Sequence, residues 1–146
     1  MSPPKLDRSY LEQVHAEHEE LRRLISKVRK AIADETSEKR ELASHVGELV
    51  DLCESHFGAE ESNGYLRDAS KTAPQLANRI EAMLSQHESL LEDLETLRVL
   101  VQSGVDSAAW RRRVEDDFAA LAQRLFDHEA GEMALVQEAF AEQNGS

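Results

Sequence analysis

The stretch that decides the fold is His56-Phe57-Gly58-Ala59-Glu60, and its pattern returns at His128-Glu129-Ala130-Gly131-Glu132. Both segments read His-x-x-x-Glu. Residues four apart lie one above the other on one face of an α-helix, so each segment directs an imidazole and a carboxylate to the same point. Two such helices facing each other could hold two metal ions between them. The repeated pattern therefore predicts a helical frame around a metal site.

The apolar residues on either side of these segments recur at steps of three and four positions. This is the spacing of helices that bury one face in a bundle. Ser62-Asn63-Gly64 should end or bend the second helix. With short links between consecutive helices, the predicted fold class is all-α, an up-down-up-down four-helix bundle. We expect one domain over residues 1–146. The predicted helices lie near residues 7–34, 38–66, 73–102 and 107–142.

The charge of the chain excludes two kinds of partner. Lys and Arg number 17 against 29 Asp and Glu, a formal net charge of −12. An acidic surface repels nucleic acid and anionic membrane, so we expect neither as a partner. The first five residues carry no apolar segment of a signal peptide, and no run reaches the length of a membrane span. The single cysteine, Cys53, excludes an internal disulfide and suits a reducing compartment. We therefore expect a cytoplasmic protein.

Each predicted helix carries a histidine on its apolar stripe, and the second helix carries two, His45 and His56. Counting along the helices at ~1.5 Å per residue places four of these histidines, all except His45, within about two turns of one another. Unpaired polar groups in an apolar layer cost ~1–3 kcal/mol each, and metal ions would supply the missing partners. The predicted metal ligands are His18, His56, Glu60, His87, His128 and Glu132.

Two further histidines and the cysteine leave alternatives open. His15 lies one turn before His18 and could replace it as a ligand. His45 stands about 16 Å along the helix from His56, too far to join the site. Cys53 is expected to be a buried structural thiol. A role for Cys53 as a source of reducing equivalents is the alternative.

At these residues the chain resembles the hemerythrin-like (HHE cation-binding) family over nearly its whole length. The resemblance rests on His18, His56-Phe57-x-x-Glu60-Glu61, His87 and His128-x-x-x-Glu132. It implies a four-helix bundle with a non-haem di-iron centre, two ions per chain. By the same resemblance, Glu60 and Glu132 bridge the irons, His18 and His56 serve one iron, and His87 and His128 serve the other. Glu61 points ~100° away from Glu60 around the helix, so we expect it outside the ligand set or at the surface.

The chain departs from the oxygen carriers of that family in two places. The carriers have a fifth histidine one turn from another in the third helix, where this chain has Met83 or Leu91. They also space the acid of the fourth helix as His-x-x-x-x-Asp, whereas this chain has His128-x-x-x-Glu132. The missing histidine implies an additional open or water-filled position and argues against reversible oxygen carriage. A ferritin-like oxidase is a weaker alternative. That class needs two Glu-x-x-His pairs on separate helices, whereas this chain has one, Glu12-x-x-His15.

Three functions remain open from the sequence. The first is a di-iron protein that binds or senses O₂ or a related small oxidant, as the resemblance implies. The second is an enzyme that turns over peroxide or NO at the same centre. The third is a structural bundle that holds zinc or another divalent ion. A role other than catalysis is favoured, and no feature of the sequence predicts an oligomeric state.

Overall fold

The computed structural model describes residues 8–144 and is built of helices. Asp7, where the first helix was expected to begin, lies outside the described residues. No strand occurs between residues 8 and 144, which confirms the all-α prediction. No helix in this range is both long and apolar enough to span a bilayer. The helices are α1 Arg8–Ala33, α2 Lys39–Asn63, α3 Tyr65–Thr72, α4 Ala77–Ser103 and α5 Ala108–Asn144.

Four long helices form the bundle. α1 packs against α2 and α5, and α4 packs against the same two helices on the opposite side. Short segments join α1 to α2 and α4 to α5, so these consecutive helices run antiparallel. The up-down-up-down four-helix bundle predicted from the apolar spacing is therefore confirmed.

The second helix is shorter than predicted, and the prediction that it continues to residue 66 is wrong. α2 ends at Asn63, and Gly64 takes a left-handed conformation with φ 78° and ψ −2°. Glycine adopts this conformation without the steric cost that a Cβ imposes. The chain then forms α3, which packs against α4 and α5 and buries Leu66 and Ala69. One 3₁₀ turn, Pro74–Leu76, leads into α4, which was expected to begin at 73.

A polar layer divides the interior of the bundle into two apolar clusters. The larger cluster packs the carboxyl-terminal half of α1 against α2, α4 and the first half of α5. The smaller cluster joins the first turns of α1 to α3, the start of α4 and the end of α5. Between the two clusters lie seven buried polar residues, the six predicted ligands His18, His56, Glu60, His87, His128 and Glu132 together with Glu129. The core therefore places every predicted ligand at one level.

The side chain of Trp110 lies very close to Gly104, and this contact leads to a first prediction about stability. A Cβ added at Gly104 would lie 2.0 Å from Trp110 Nε1, the atom that donates a 2.9 Å hydrogen bond to the Leu100 carbonyl. Gly104→Ala must displace the indole and break this bond, so we expect a loss of about 1–3 kcal/mol in the free energy of unfolding. The measurement is urea unfolding followed by the fluorescence of Trp110, the one tryptophan of the chain.

The matched control for this change is Gly47→Ala in α2. Nothing lies within 4 Å of a Cβ added at Gly47. Alanine is the better residue in a helix, so this variant should be more stable by about 0.4–1 kcal/mol. An unfolding midpoint of Gly104→Ala at or above that of the parent would contradict the close packing at Trp110.

Candidate metal centre

The four long helices bring six candidate ligands together in two groups of three. In each group, one nitrogen or oxygen atom from every residue lies within 4.8 Å of the others. The six side chains are almost inaccessible, with relative exposures between 0% and 6%. One group is His18, His56 and Glu132, and the other is Glu60, His87 and His128. The structure therefore brings together all six residues that the sequence singles out.

The atoms that face the centre of the layer have no hydrogen-bond partner. These are the Nε2 atoms of the four histidines and both carboxylate oxygens of Glu60 and Glu132. A buried polar atom without a partner costs ~1–3 kcal/mol, and native interiors contain few of them. Imidazole nitrogen and carboxylate oxygen are also established ligands of transition metals. The donor set therefore fits a pair of cations, which would satisfy every one of these atoms.

The carboxylates of Glu60 and Glu132 each lie between two pairs of histidines. One pair is His18 with His56, and the other is His87 with His128. Glu60 Oε1 contacts His56 Nε2, while Glu60 Oε2 lies 3.3 Å from His87 Nε2. Glu132 Oε1 lies 3.3 Å from His18 Nε2 and 3.4 Å from His56 Nε2. Glu132 Oε2 lies 3.7 Å from His128 Nε2. Both carboxylates thus present one oxygen to the pair His18 and His56 and the other oxygen to the opposite pair.

The other ring nitrogen of each histidine faces a side-chain oxygen of a neighbouring helix. The residues that supply these oxygens are Glu17, Glu61, Gln86 and Glu129, and we call them the outer partners. His56 Nδ1 contacts Glu17, His87 Nδ1 lies 3.2 Å from Glu61, His128 Nδ1 lies 2.7 Å from Gln86, and His18 Nδ1 lies 3.5 Å from Glu129. An acceptor at Nδ1 holds the proton on that nitrogen and leaves Nε2 free to bind a metal.

The outer partners follow a regular order around the bundle. α1 supplies Glu17 to a histidine of α2, and α2 supplies Glu61 to a histidine of α4. α4 supplies Gln86 to a histidine of α5, and α5 supplies Glu129 to a histidine of α1. Arg22 in turn contacts the buried Glu129 at 2.5 Å. Each long helix therefore supplies one outer partner to a histidine of the next helix, and these four contacts connect the helices in a closed ring.

Three of the outer partners were not found by sequence reasoning. Glu17, Gln86 and Glu129 were not singled out, although each is adjacent in sequence to a candidate ligand histidine. Glu61 was expected outside the ligand set, and its half-exposed side chain reaches His87 from the rim of the layer. The available signal was their position next to a histidine on an apolar stripe. It does not show which neighbouring helix the side chain reaches.

Burial and the facing charges shift the titration of the central groups. Burial opposes the charged form of His56, but the carboxylates of Glu132, Glu17 and Glu60 outweigh it and raise the pKa of this histidine to about 12. Burial lowers the pKa of His128 to about 4. Burial also raises the pKa of Glu60, whereas His18 and His56 overcome burial and hold the pKa of Glu132 below its usual range. A cation bound in the layer would compete with protons for these same groups.

The remaining histidines and the cysteine lie outside the two groups. The His15 side chain is 62% exposed and pairs with Glu19 at 3.1 Å, so His18 and not His15 reaches the centre. His45 lies beside the larger apolar cluster, close to two glutamates of its own helix. Cys53 is buried, and burial raises the pKa of its thiol to about 12. A thiol held protonated is a poor source of reducing equivalents, which disfavours that alternative.

An aromatic ring covers the second histidine pair. Phe57 stacks on His87 with ring centroids 4.2 Å apart and meets His128 edge-on at 5.2 Å. Met83 belongs to the smaller apolar cluster, and Leu91 packs against the larger one. Neither position offers a further nitrogen ligand to the layer. Every histidine of the chain is thereby placed, and four of them face the centre.

A comparison with protein families matches residues 9–139 to the hemerythrin HHE cation-binding domain. The match includes both groups of candidate ligands and spans all of the helices except the first residue of α1 and the end of α5. No curated protein and no solved structure gives a match. Because the matched region covers most of the chain and carries the buried His/Glu layer, the chain belongs to the hemerythrin HHE cation-binding domain family.

Proposed function

We propose that this chain is a non-haem di-iron protein that binds or senses O₂ or a related small oxidant at its His/Glu centre. The observation that carries the proposal is the set of four imidazole nitrogens and four carboxylate oxygens that face one another without partners. His18, His56 and Glu132 define the first metal position, and Glu60, His87 and His128 define the second.

Two of the proposed ligands would bridge the ions. Glu60 and Glu132 each direct one oxygen towards each histidine pair, which is the placement that a bridging carboxylate requires. Two carboxylates against two divalent cations leave a modest positive charge inside an acidic chain. Glu60 and Glu132 would therefore hold the two ions together and lower their mutual repulsion.

The donor set favours iron and leaves room for a small ligand. Imidazole and carboxylate donors suit iron, whereas the one thiol, Cys53, does not belong to either group. Two histidine nitrogens and two carboxylate oxygens for each ion would leave coordination positions free. Iron in such a site supplies the redox chemistry that O₂ and related oxidants require. The protein residues hold the ions and keep them within an enclosed layer.

We further propose that residues 1–146 form one domain that acts in the cytoplasm on a small molecule, without nucleic acid or membrane as partner. The net charge of −12 supports the absence of anionic partners. The buried centre supports a small ligand, because surface clefts reach the outer edges of the histidine layer beside His87 and His128.

Metal analysis of the protein isolated with its native metal, together with an ultraviolet and visible spectrum, tests the proposal. We expect about two iron ions per chain and ligand-to-iron charge-transfer bands. Zinc in place of iron, with no such bands, would overturn the di-iron proposal and favour the structural alternative. Rapid turnover of peroxide or NO by the iron-loaded protein would instead favour the enzymatic alternative.

The two neighbouring histidines of α1 provide a residue-level prediction. His18→Ala removes one nitrogen from the first metal position and should lower the iron content from about two towards one per chain. His15→Ala is the matched control, because His15 lies one turn away on the exposed side of the helix. Iron per chain is measured after loading and desalting. A loss of iron in His15→Ala with full content in His18→Ala would contradict the assignment.

A further inference from the structure

The outer partners differ between the two metal positions. At the first position both histidines face a carboxylate, from Glu17 and Glu129. At the second position His87 faces Glu61, whereas His128 faces the amide oxygen of Gln86 at 2.7 Å. Gln86 is thus the one neutral member of the ring of four outer partners.

A carboxylate and an amide act differently on the histidine that they contact. A carboxylate that accepts the Nδ1 proton increases the electron density of the imidazole and makes Nε2 a stronger donor. Its charge also attracts the cation beyond the ring, and charge-assisted hydrogen bonds are roughly twice as strong as neutral ones. The amide of Gln86 orients His128 but supplies no charge. Arg22 offsets part of the charge of Glu129, so the clearest contrast is between Glu17 and Gln86.

The side of the second position occupied by Gln86 is accessible from solvent. Gln86 and His128 line a surface cleft of about 280 Å³ with Leu90, Arg124 and Asp127. Gln86 is exposed, so an acidic side chain of the same shape fits there without repacking of the core. The difference in outer partners between the two metal positions therefore depends on one surface residue, Gln86, which can be replaced.

Resting on the di-iron function proposed above, we propose that Gln86 makes the two metal positions unequal. The second position, Glu60, His87 and His128, binds its ion more weakly, fills last and empties first. Gln86 acts as a positioning residue through His128 and does not touch the ion. The protein therefore passes through a state with one ion, held by the first position.

Anaerobic titration of the metal-free chain of 146 residues with Fe²⁺ against a competing chelator tests this proposal. We expect two binding steps that differ by about tenfold or more, since changes in such outer partners alter metal affinity by roughly 10–100-fold. His128→Ala should remove the weaker step, and His18→Ala should remove the tighter one. Gln86→Glu should tighten the weaker step by about tenfold and leave the tighter step unchanged.

Two further variants separate the local contact from overall charge. Glu17→Gln places the same amide beside His56 and should weaken the tighter step. Gln102→Glu adds the charge of Gln86→Glu to the exposed end of the same helix, away from the centre, and should change neither step. An effect of Gln102→Glu equal to that of Gln86→Glu would overturn the role of the contact.

The outcomes distinguish this inference from the proposed function. Two equal steps in the parent chain, or a weaker step that Gln86→Glu leaves unchanged, would overturn the inequality while the di-iron centre stands. Failure to bind two ions at any Fe²⁺ concentration would overturn the di-iron function itself, and the inference with it. A circular dichroism spectrum of Gln86→Glu that matches the parent, together with a changed weaker step, supports the inference.

Discussion

Removal of the metal from the loaded protein is expected to lower the midpoint of thermal unfolding by roughly 10–15 °C. Without ions, eight inward-facing nitrogen and oxygen atoms lose their partners in a layer enclosed by two apolar clusters. Ions present at a thousand times their dissociation constant stabilise the folded state by about 4 kcal/mol. For a chain of this size that energy corresponds to the expected shift.

The measurement is a pair of thermal melts at fixed pH, with and without a chelator, after metal loss has been verified by elemental analysis. Glu132→Ala is the control, because a chain that holds fewer ions should show a smaller difference between the melts with and without chelator. Equal midpoints for the loaded and stripped parent chain would contradict a buried metal layer.

Loss of a bridging carboxylate should have the largest effect on metal content. Glu60→Ala and Glu132→Ala each remove an oxygen from both positions, so the content should fall from about two ions per chain to one or none. Glu61 is the matched control, because it follows Glu60 in sequence and faces the outer nitrogen of His87, at 3.2 Å. Glu61→Ala should retain about two ions when the metal concentration is well above the dissociation constant.

Elemental analysis after loading gives the ion count for each variant, and a circular dichroism spectrum establishes that the helices are retained. Two ions in Glu60→Ala together with loss of metal in Glu61→Ala would show that the helical register assigned to α2 is wrong. One ion in Glu60→Ala, removed entirely by adding His18→Ala, would place the remaining ion at the first position and show that the second position cannot hold its ion without Glu60.

Most of the fold could be predicted because the apolar spacing of a long helix is a local property of the sequence. The short helix α3 could not, since eight residues do not extend far enough to establish a stripe. Helices of this length are marginal alone and depend on tertiary packing, here that of Leu66 and Ala69. Ser62-Asn63-Gly64 did predict an interruption, and the positive φ of Gly64 is its physical basis.

The candidate ligands could be found because polar residues on an apolar stripe stand out. The outer partners could not, because Glu17, Gln86 and Glu129 reach histidines of neighbouring helices. Such contacts depend on the axial register of two helices, and counting residues fixes that register only to within about two turns. A helical turn rises by ~5.4 Å, which exceeds the length of the contacts in question.

The division of the core by the polar layer has a consequence for how the chain opens. Each apolar cluster supplies its own driving force for folding, and the layer between them touches all four long helices. Ions ligated from every long helix join the two ends into one cooperative unit, whereas an empty layer leaves the end that carries α3 free to open on its own. Loss of metal would then increase local unfolding at this end of the bundle. The rate of proteolysis near α3 would therefore depend on the occupancy of a metal centre that the protease never contacts.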